Sequence, residues 1–265
     1  MKHVVKELKD TVDISRGDSP KYEFAKLLVL LGVAFVVGYA VLGVVADTIA
    51  EQIPERLEAK LFAGMEAHAP KKGFVAEKYR RAEQLFERLV RAGSLRPLPY
   101  KLLYVDMKEP NAFAIPGGGV GVTRGLLELV EHEEGLAMVL GHELGHQQKR
   151  HVLRAIGRSL IWTVIQLYVL EETSGAASSL AVHMMSSAHS RAQEYEADSI
   201  GLDLASQVLG PSDSYLEFFE KIHEQYENGE SRWSFLLRSH PLTVDRMKRL
   251  REESKFLIAK REPRG

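Results

Sequence analysis

The sequence predicts a mainly helical α+β domain with a small β-sheet, preceded by one N-terminal transmembrane helix. Three observations lead there. Residues 27–46, LLVLLGVAFVVGYAVLGVVA, form an apolar run without a single charge. Residues 101–123 switch to short apolar or alternating runs broken by Pro and Gly. Most of the remaining chain, from residue 125 on, returns to helical spacing.

A helix over 27–46 spans about 30 Å, the hydrocarbon thickness of a bilayer. A soluble core helix is seldom apolar on every face for that length. A cleaved signal peptide, with Val44-Val45-Ala46 as its cleavage site, is the sharper rival. The apolar run is longer than such leaders use, and a long polar stretch precedes it. The expectation is an uncleaved anchor over 23–47 after a mobile tail, 1–22. Lys9, Arg16, Lys21 and Lys26 before the span outnumber Arg56 and Lys60 after it, which places the N-terminus in the cytoplasm and the rest outside it. Ala34 and Gly38 are spaced to let two such helices pack into a homo-oligomer.

Beyond the anchor, 48–97 reads as helical, first over 47–68 and then over 76–91, with Leu85, Phe86 and Leu89 on one apolar side. KLLYVD (101–106), NAFAI (111–115) and VGVT (120–123) read as strands, the last two joined by a Gly-rich turn at 116–119. A short helix comes next, over 125–130. Another is expected from Glu133 to His151, a further one over 154–170, then 190–208, 214–226 and a last one from Pro241. The domain is taken as 98–258 and the remainder, 259–265, as a tail.

The chain's 265 residues include 35 basic, 36 acidic and no cysteine. Near-neutral charge without a basic stripe argues against a nucleic-acid partner. Without thiolates, any metal site must be built from histidine and carboxylate.

Such a site is suggested by VLGHELGHQQKRH, residues 139–151. His142 and His146 lie about 40° apart around a helix, one turn apart, so both imidazoles can reach one metal ion. Glu143 sits about 100° from His142, placed to take a proton from a metal-bound water. His151 is about 140° beyond His146 and joins the same site only if the helix breaks, so it reads as a packing or supporting residue. Downstream, SRAQEYEADSIGLDLA (190–205) sets Glu194 and Asp198 four residues apart. One carboxylate can bind the metal while the other steadies a ligand imidazole, and spacing alone does not choose between them. Glu196 reads as a solvated residue.

HELGH followed by SRAQEYEAD resembles the membrane zinc metallopeptidases of the CAAX prenyl endopeptidase, HtpX and mitochondrial OMA protease type. NAFAIPGGGVGVTRGLLEL (111–129) and SHPLTVDRMKRL (239–250) resemble two further blocks of that family, and the likeness covers about 98–250. The resemblance implies a zincin-like, gluzincin domain holding one zinc ion through His142, His146 and Glu194, with Asp198 in support. It implies Glu143 as general base and His240 as a group that steadies the oxyanion. Arg191 and Arg246 are expected as ion-pair partners near the site. The edge strand opened by Asn111, with Ala112 and Phe113, is expected to bind substrate backbone as an added strand. The single anchor departs from HtpX-type members, which carry further spans, so prenylated substrates are not implied.

These readings converge on a membrane-anchored zinc endopeptidase acting on misfolded or membrane-associated proteins. A latent or non-catalytic zinc adaptor for unfolded chains is the first rival, and a zinc amidase the second. Intact Glu143 argues against the first, and an edge strand suited to extended peptides against the second. Residues 161–170 and 174–187, between the ligand blocks in sequence, are expected to form a mobile cover.

Overall fold

The computed structural model describes residues 19–64, 70, 73–170, 189–228 and 234–261, with the side chains of 161–170, 217, 226, 234, 235, 238 and 261 excepted. Of the expected tail at 1–22, residues 1–18 lie outside the described residues, as do the cover segment at 174–187 and residues 262–265; from Pro20 the chain is already helical. The chain divides into two compact units, Met1–Val45 and Ala46–Gly265.

The uncharged run forms most of α1, Pro20–Gln52, which is the one helix among the described residues long and apolar enough to cross a membrane. In the second unit the end of α1 is followed by Pro54 and α2, Glu55–Leu61. The single helix expected over 47–68 is therefore two pieces, because proline at 54 has no N–H to continue α1 and restricts the residue before it.

Helix α3, Phe74–Ala92, buries Tyr79, Ala82, Leu85, Phe86 and Leu89 along one stripe. The sheet comes after it, with β1 (Lys101–Val105), β2 (Ala112–Ile115) and β3 (Gly119–Thr123) in the order β1-β3-β2. β3 pairs parallel with β1 and antiparallel with β2, setting Phe113 opposite Gly121 and Leu103 opposite the same glycine. The β2–β3 turn needs left-handed backbone at Gly117 (φ 85°) and Gly118 (φ 98°), which glycine adopts without a Cβ penalty. Glu58, buried in α2, accepts from the Gly117 N–H at 3.0 Å and pairs with Arg96, so the turn rests on a satisfied carboxylate.

Thr123 ends β3 and caps α4 (Arg124–Leu129), its hydroxyl accepting from the Leu126 N–H. Next comes α5, Glu133–Gln148, buried on nearly every side. Helix α6 is His151–Leu170 and α7 is Arg191–Leu209, opened by a reciprocal Ser190/Gln193 capping box. Helices α8 (Ser214–Glu227), α9 (Ser234–Ser239) and α10 (Val244–Arg261) complete the described elements. Met138, Leu140 and Leu144 of α5 are fully buried, each contributing about 1.5–3 kcal/mol of hydrophobic stabilisation. They anchor the main cluster, which draws Leu89 from α3, Val122 from β3, Leu202 from α7 and Tyr215 from α8.

One boundary departs from expectation in a way that matters. The histidine helix does not run to His151. It stops at Gln148, and Arg150 takes a left-handed conformation (φ 55°) before α6 begins at His151. Arg150 is held there by its guanidinium, which donates to the carbonyls of Ala50 and Ile53 at 2.6 Å each and pairs with Glu55 at 2.9 Å. Ala50 lies in the last turn of α1 and Ile53 just beyond it, at a helix end where carbonyls lack internal partners and a cation is favoured. Arg154 pairs with Glu51 and Arg158 with Asp47, continuing the ladder along α6.

Candidate metal centre

Helices α5 and α7 pack closely, and their facing side chains converge. His142 and His146 are 3% and 0% exposed, with their Nε2 atoms 3.0 Å apart. From α7, the Glu194 carboxylate lies 3.5 Å from His142 Nε2 and 3.4 Å from His146 Nε2. His240 follows the end of α9, and its Nδ1 stands 3.1 Å from His142 Nε2 and 3.2 Å from Glu194 Oε1. One ligand-type atom from each of these four residues lies within 4.8 Å of the others. Three imidazoles and a carboxylate at that separation, with no sulfur, suit a zinc-type cation.

Glu143 supplies a second sign of an intended occupant. It is 2% exposed, its Oε1 lies 3.5 Å from His240 Nε2, and its Oε2 is buried with no hydrogen-bond partner among the described residues. A buried carboxylate oxygen left this way costs free energy unless a ligand or water meets it. Beside Glu143 and His240, under Val139, Phe219, Leu236 and Leu242, the protein leaves about 20 Å³ free, room for one water molecule.

His142 and His146 are each held from behind. His142 Nδ1 meets Asp198 Oδ1 at 2.9 Å. Arg246, 2% exposed on α10, donates to both Asp198 oxygens at 2.5 and 2.8 Å and also abuts Glu194. Burial works against a charged Glu194, but His240 and Arg246 outweigh it and hold its carboxyl well below the usual range. Asp198 is likewise held down, the hydrogen bond and charge of Arg246 overcoming burial. For His240 burial is again opposed, here by the charges of Glu194 and Glu143, and its pKa is raised. For His146 burial prevails and the neutral imidazole is favoured, the form that binds a cation.

His151 supports His146: their Nδ1 atoms are 2.9 Å apart, and His151 Nε2 meets Glu196 Oε2 at 3.1 Å. The break at Arg150 is what returns His151 to His146. Glu196, read from sequence as a solvated residue, is half exposed yet reaches His151.

Three other residues depart from expectation or were missed by it. Arg191, expected to pair near the site, is exposed at the first position of α7 and makes no ion pair among the described residues. The reason is its place in the capping turn, a turn away from the buried face. His189 was not singled out, yet its ring stacks on His146 with centroids 3.9 Å apart. Gln147 was also missed. Its amide donates to the carbonyls of Ile115 and, at 2.7 Å, Gly119, tying the end of β2 to the residue after His146.

Asn111, Ala112 and Phe113 lie at the edge of the sheet, and all three are buried. Asn111 donates its N–H to Thr123 Oγ1 at 2.8 Å, and its carbonyl accepts from the Thr123 N–H at 3.0 Å. They stand beside α5 rather than within the four-residue cluster.

Residues 76–254, more than half of the chain, match peptidase family M48. The chain belongs to that family. Its M48 domain is a metalloprotease domain, mostly helical with a three-stranded sheet, as the sequence predicts. Among similar proteins, the mitochondrial metalloendopeptidase OMA1 of Schizosaccharomyces pombe is 29% identical over 182 residues, 68% of this chain and 54% of its own length. A protease HtpX homolog of Salinibacter ruber is 28% identical over 217 residues, covering 67% of this chain and 77% of that protein. Metalloprotease LoiP of Escherichia coli is 26% identical over 164 residues, 59% of this chain and 63% of that one. The chain thus spans about half the length of the fission-yeast M48 relative.

Proposed function

We propose that this chain is a membrane-anchored zinc endopeptidase, with its catalytic domain over 98–258 and its anchor over 23–47. The observation that carries the reading is the convergence of His142, His146 and Glu194 beside a buried, unpartnered Glu143 oxygen. These three residues would hold one zinc ion, with His240 standing close enough to face the scissile group. When bound, zinc supplies Lewis acidity to the scissile carbonyl and lowers the pKa of the attacking water.

The chain's own residues carry the remaining work. Glu143 takes the water's proton at Oε2 and passes it to the leaving nitrogen, so one water is consumed per bond cut and no acyl-enzyme forms. Protonated His240 stabilises the negative oxygen that develops on the carbonyl. Asp198 and Arg246 keep the His142 ring in one orientation. An extended polypeptide lies along β2 at Asn111, Ala112 and Phe113. The proposed substrates are misfolded or membrane-associated proteins, by analogy with relatives named as mitochondrial and HtpX-type proteases. The bias of Lys9, Arg16, Lys21 and Lys26 over Arg56 and Lys60 supports a cytoplasmic N-terminus and an extracytoplasmic catalytic domain.

A latent state is the second reading, favoured by closure of the site. His142, Glu143 and His240 are each under 7% exposed, and the space beside them admits one water rather than a peptide. The test compares the purified full chain with Glu143→Gln. One zinc per chain in both, with cleavage of unfolded casein by the parent alone, supports the enzyme. Zinc in both without cleavage in either supports latency, and no zinc in either removes the whole reading.

A further inference from the structure

Two of the imidazoles at the candidate metal position, His142 and His146, are supported differently. His142 leans directly on the Asp198 carboxylate. His146 leans on a second imidazole, His151, which in turn leans on Glu196. We propose that Glu196, acting through His151, is the positioning residue for His146, so that a half-exposed carboxylate sets how tightly the buried site holds its metal.

The chemistry of the rings fixes the direction of the chain. His146 can bind a cation only through a nitrogen that carries no proton, and Nε2 is the atom turned toward His142 and Glu194. The His146 proton therefore sits on Nδ1 and is donated to His151 Nδ1. That leaves the His151 proton on Nε2, donated to Glu196 Oε2. Each group has one role, and removing Glu196 frees His151 to adopt the other tautomer. His151 would then present a proton to the His146 proton, and the two rings would turn apart.

Geometry shows why these residues are available for the task. Glu196 lies about 200° around α7 from Glu194, on the flank away from the ligand face. The left-handed turn at Arg150 brings His151, fully buried, between that flank and His146. The Glu196 side chain stays 49% exposed, so its loss removes a contact without opening the core.

This inference rests on the proposed metal site, and its test separates the two. The full-length protein, Glu196→Ala and Glu196→Gln are compared by zinc competition against a chelator, by the visible spectrum of the cobalt(II)-substituted forms and by kcat and KM. Exposed Glu252→Ala on α10 serves as control. Glu196→Ala should bind zinc about 10- to 100-fold more weakly, shift the cobalt spectrum and lose kcat rather than KM, with its metal-free unfolding midpoint unchanged. Glu196→Gln keeps an acceptor oxygen and should recover most of the affinity. Equal zinc affinity and equal spectra in parent and Glu196→Ala would overturn the inference alone. A parent that binds no zinc would overturn it together with the site.

Discussion

Gly141 and Gly201 face each other where α5 meets α7. A Cβ on Gly141 would stand 2.8 Å from the Gly201 carbonyl oxygen, and one on Gly201 would stand 2.7 Å from the His142 nitrogen. One turn on, Gly145 meets the Ala197 backbone at the same 2.8 Å. This row of small residues lets two helix backbones approach closely enough for His142 and His146 to meet Glu194. Gly201→Ala must push the helices apart, because the obstructing atoms are backbone. We expect a loss of about 1–3 kcal/mol in denaturant unfolding, with weaker zinc binding. A variant as stable as the parent would show that the contact yields without cost.

Spacing alone left Glu194 and Asp198 interchangeable, and the family resemblance chose Glu194 as ligand; in the structure Glu194 faces the Nε2 atoms of His142 and His146, while Asp198 faces His142 Nδ1. Glu194→Ala should abolish zinc retention. Asp198→Asn should retain zinc with affinity reduced about 10- to 100-fold, since it disturbs only the orientation of His142. Metal content after dialysis checks both, and equal losses would contradict the assignment.

Arg246 is enclosed between two buried carboxylates. Replacing it with methionine fills the space but leaves Glu194 and Asp198 without their cation, which should cost about 3–5 kcal/mol in the metal-free protein. Added zinc should restore part of that stability. A thermal scan with and without metal measures it, and a loss below about 1 kcal/mol would count against the role.

In the metal-free protein, burial lowers His151 to about 4 and His189 to about 3, from an ordinary 6.5. Between those values and 6.5 the unfolded chain binds more protons, so stability rises with pH. It is complete above about 6.5 and is lost as pH falls toward 4 and then 3, by up to ~1.4 kcal/mol per pH unit for each histidine. Denaturation midpoints at pH 7.5, 6 and 5 in a chelator should fall in that order. A flat profile would mean that these rings stay accessible to protons in the folded state.

Much of the fold was legible because its signals are local. The stripe of Leu85, Phe86 and Leu89, the Gly-rich turn at 117–119 and the four-residue spacing of His142 and His146 are short-range patterns that folding preserves. The missed features depend on residues distant in the chain. Nothing at Lys149-Arg150 announces a helix end, as there is no glycine or proline, and the break is held by carbonyls of Ala50 and Ile53. Glu196 looked solvated because its partner returns only through that break. His189 and Gln147 act through a ring stack and two strand carbonyls, contacts that no spacing rule encodes.

The ladder of Arg150, Arg154 and Arg158 bears on how this protein can be handled and how it can be severed. Its counter-charges, Glu55, Glu51 and Asp47, and its carbonyl acceptors come from the last turns of α1 and the start of α2. Those turns belong to the second unit, which begins at Ala46. A soluble fragment trimmed to the start of α3 would strip three guanidinium groups of their partners, beside the turn that carries His151. Expression boundaries should therefore be set at or before Ala46. By the same logic, a cut near Pro54 would leave the partners of Arg154 and Arg158 on a separate piece of chain, and should loosen the turn that carries His151.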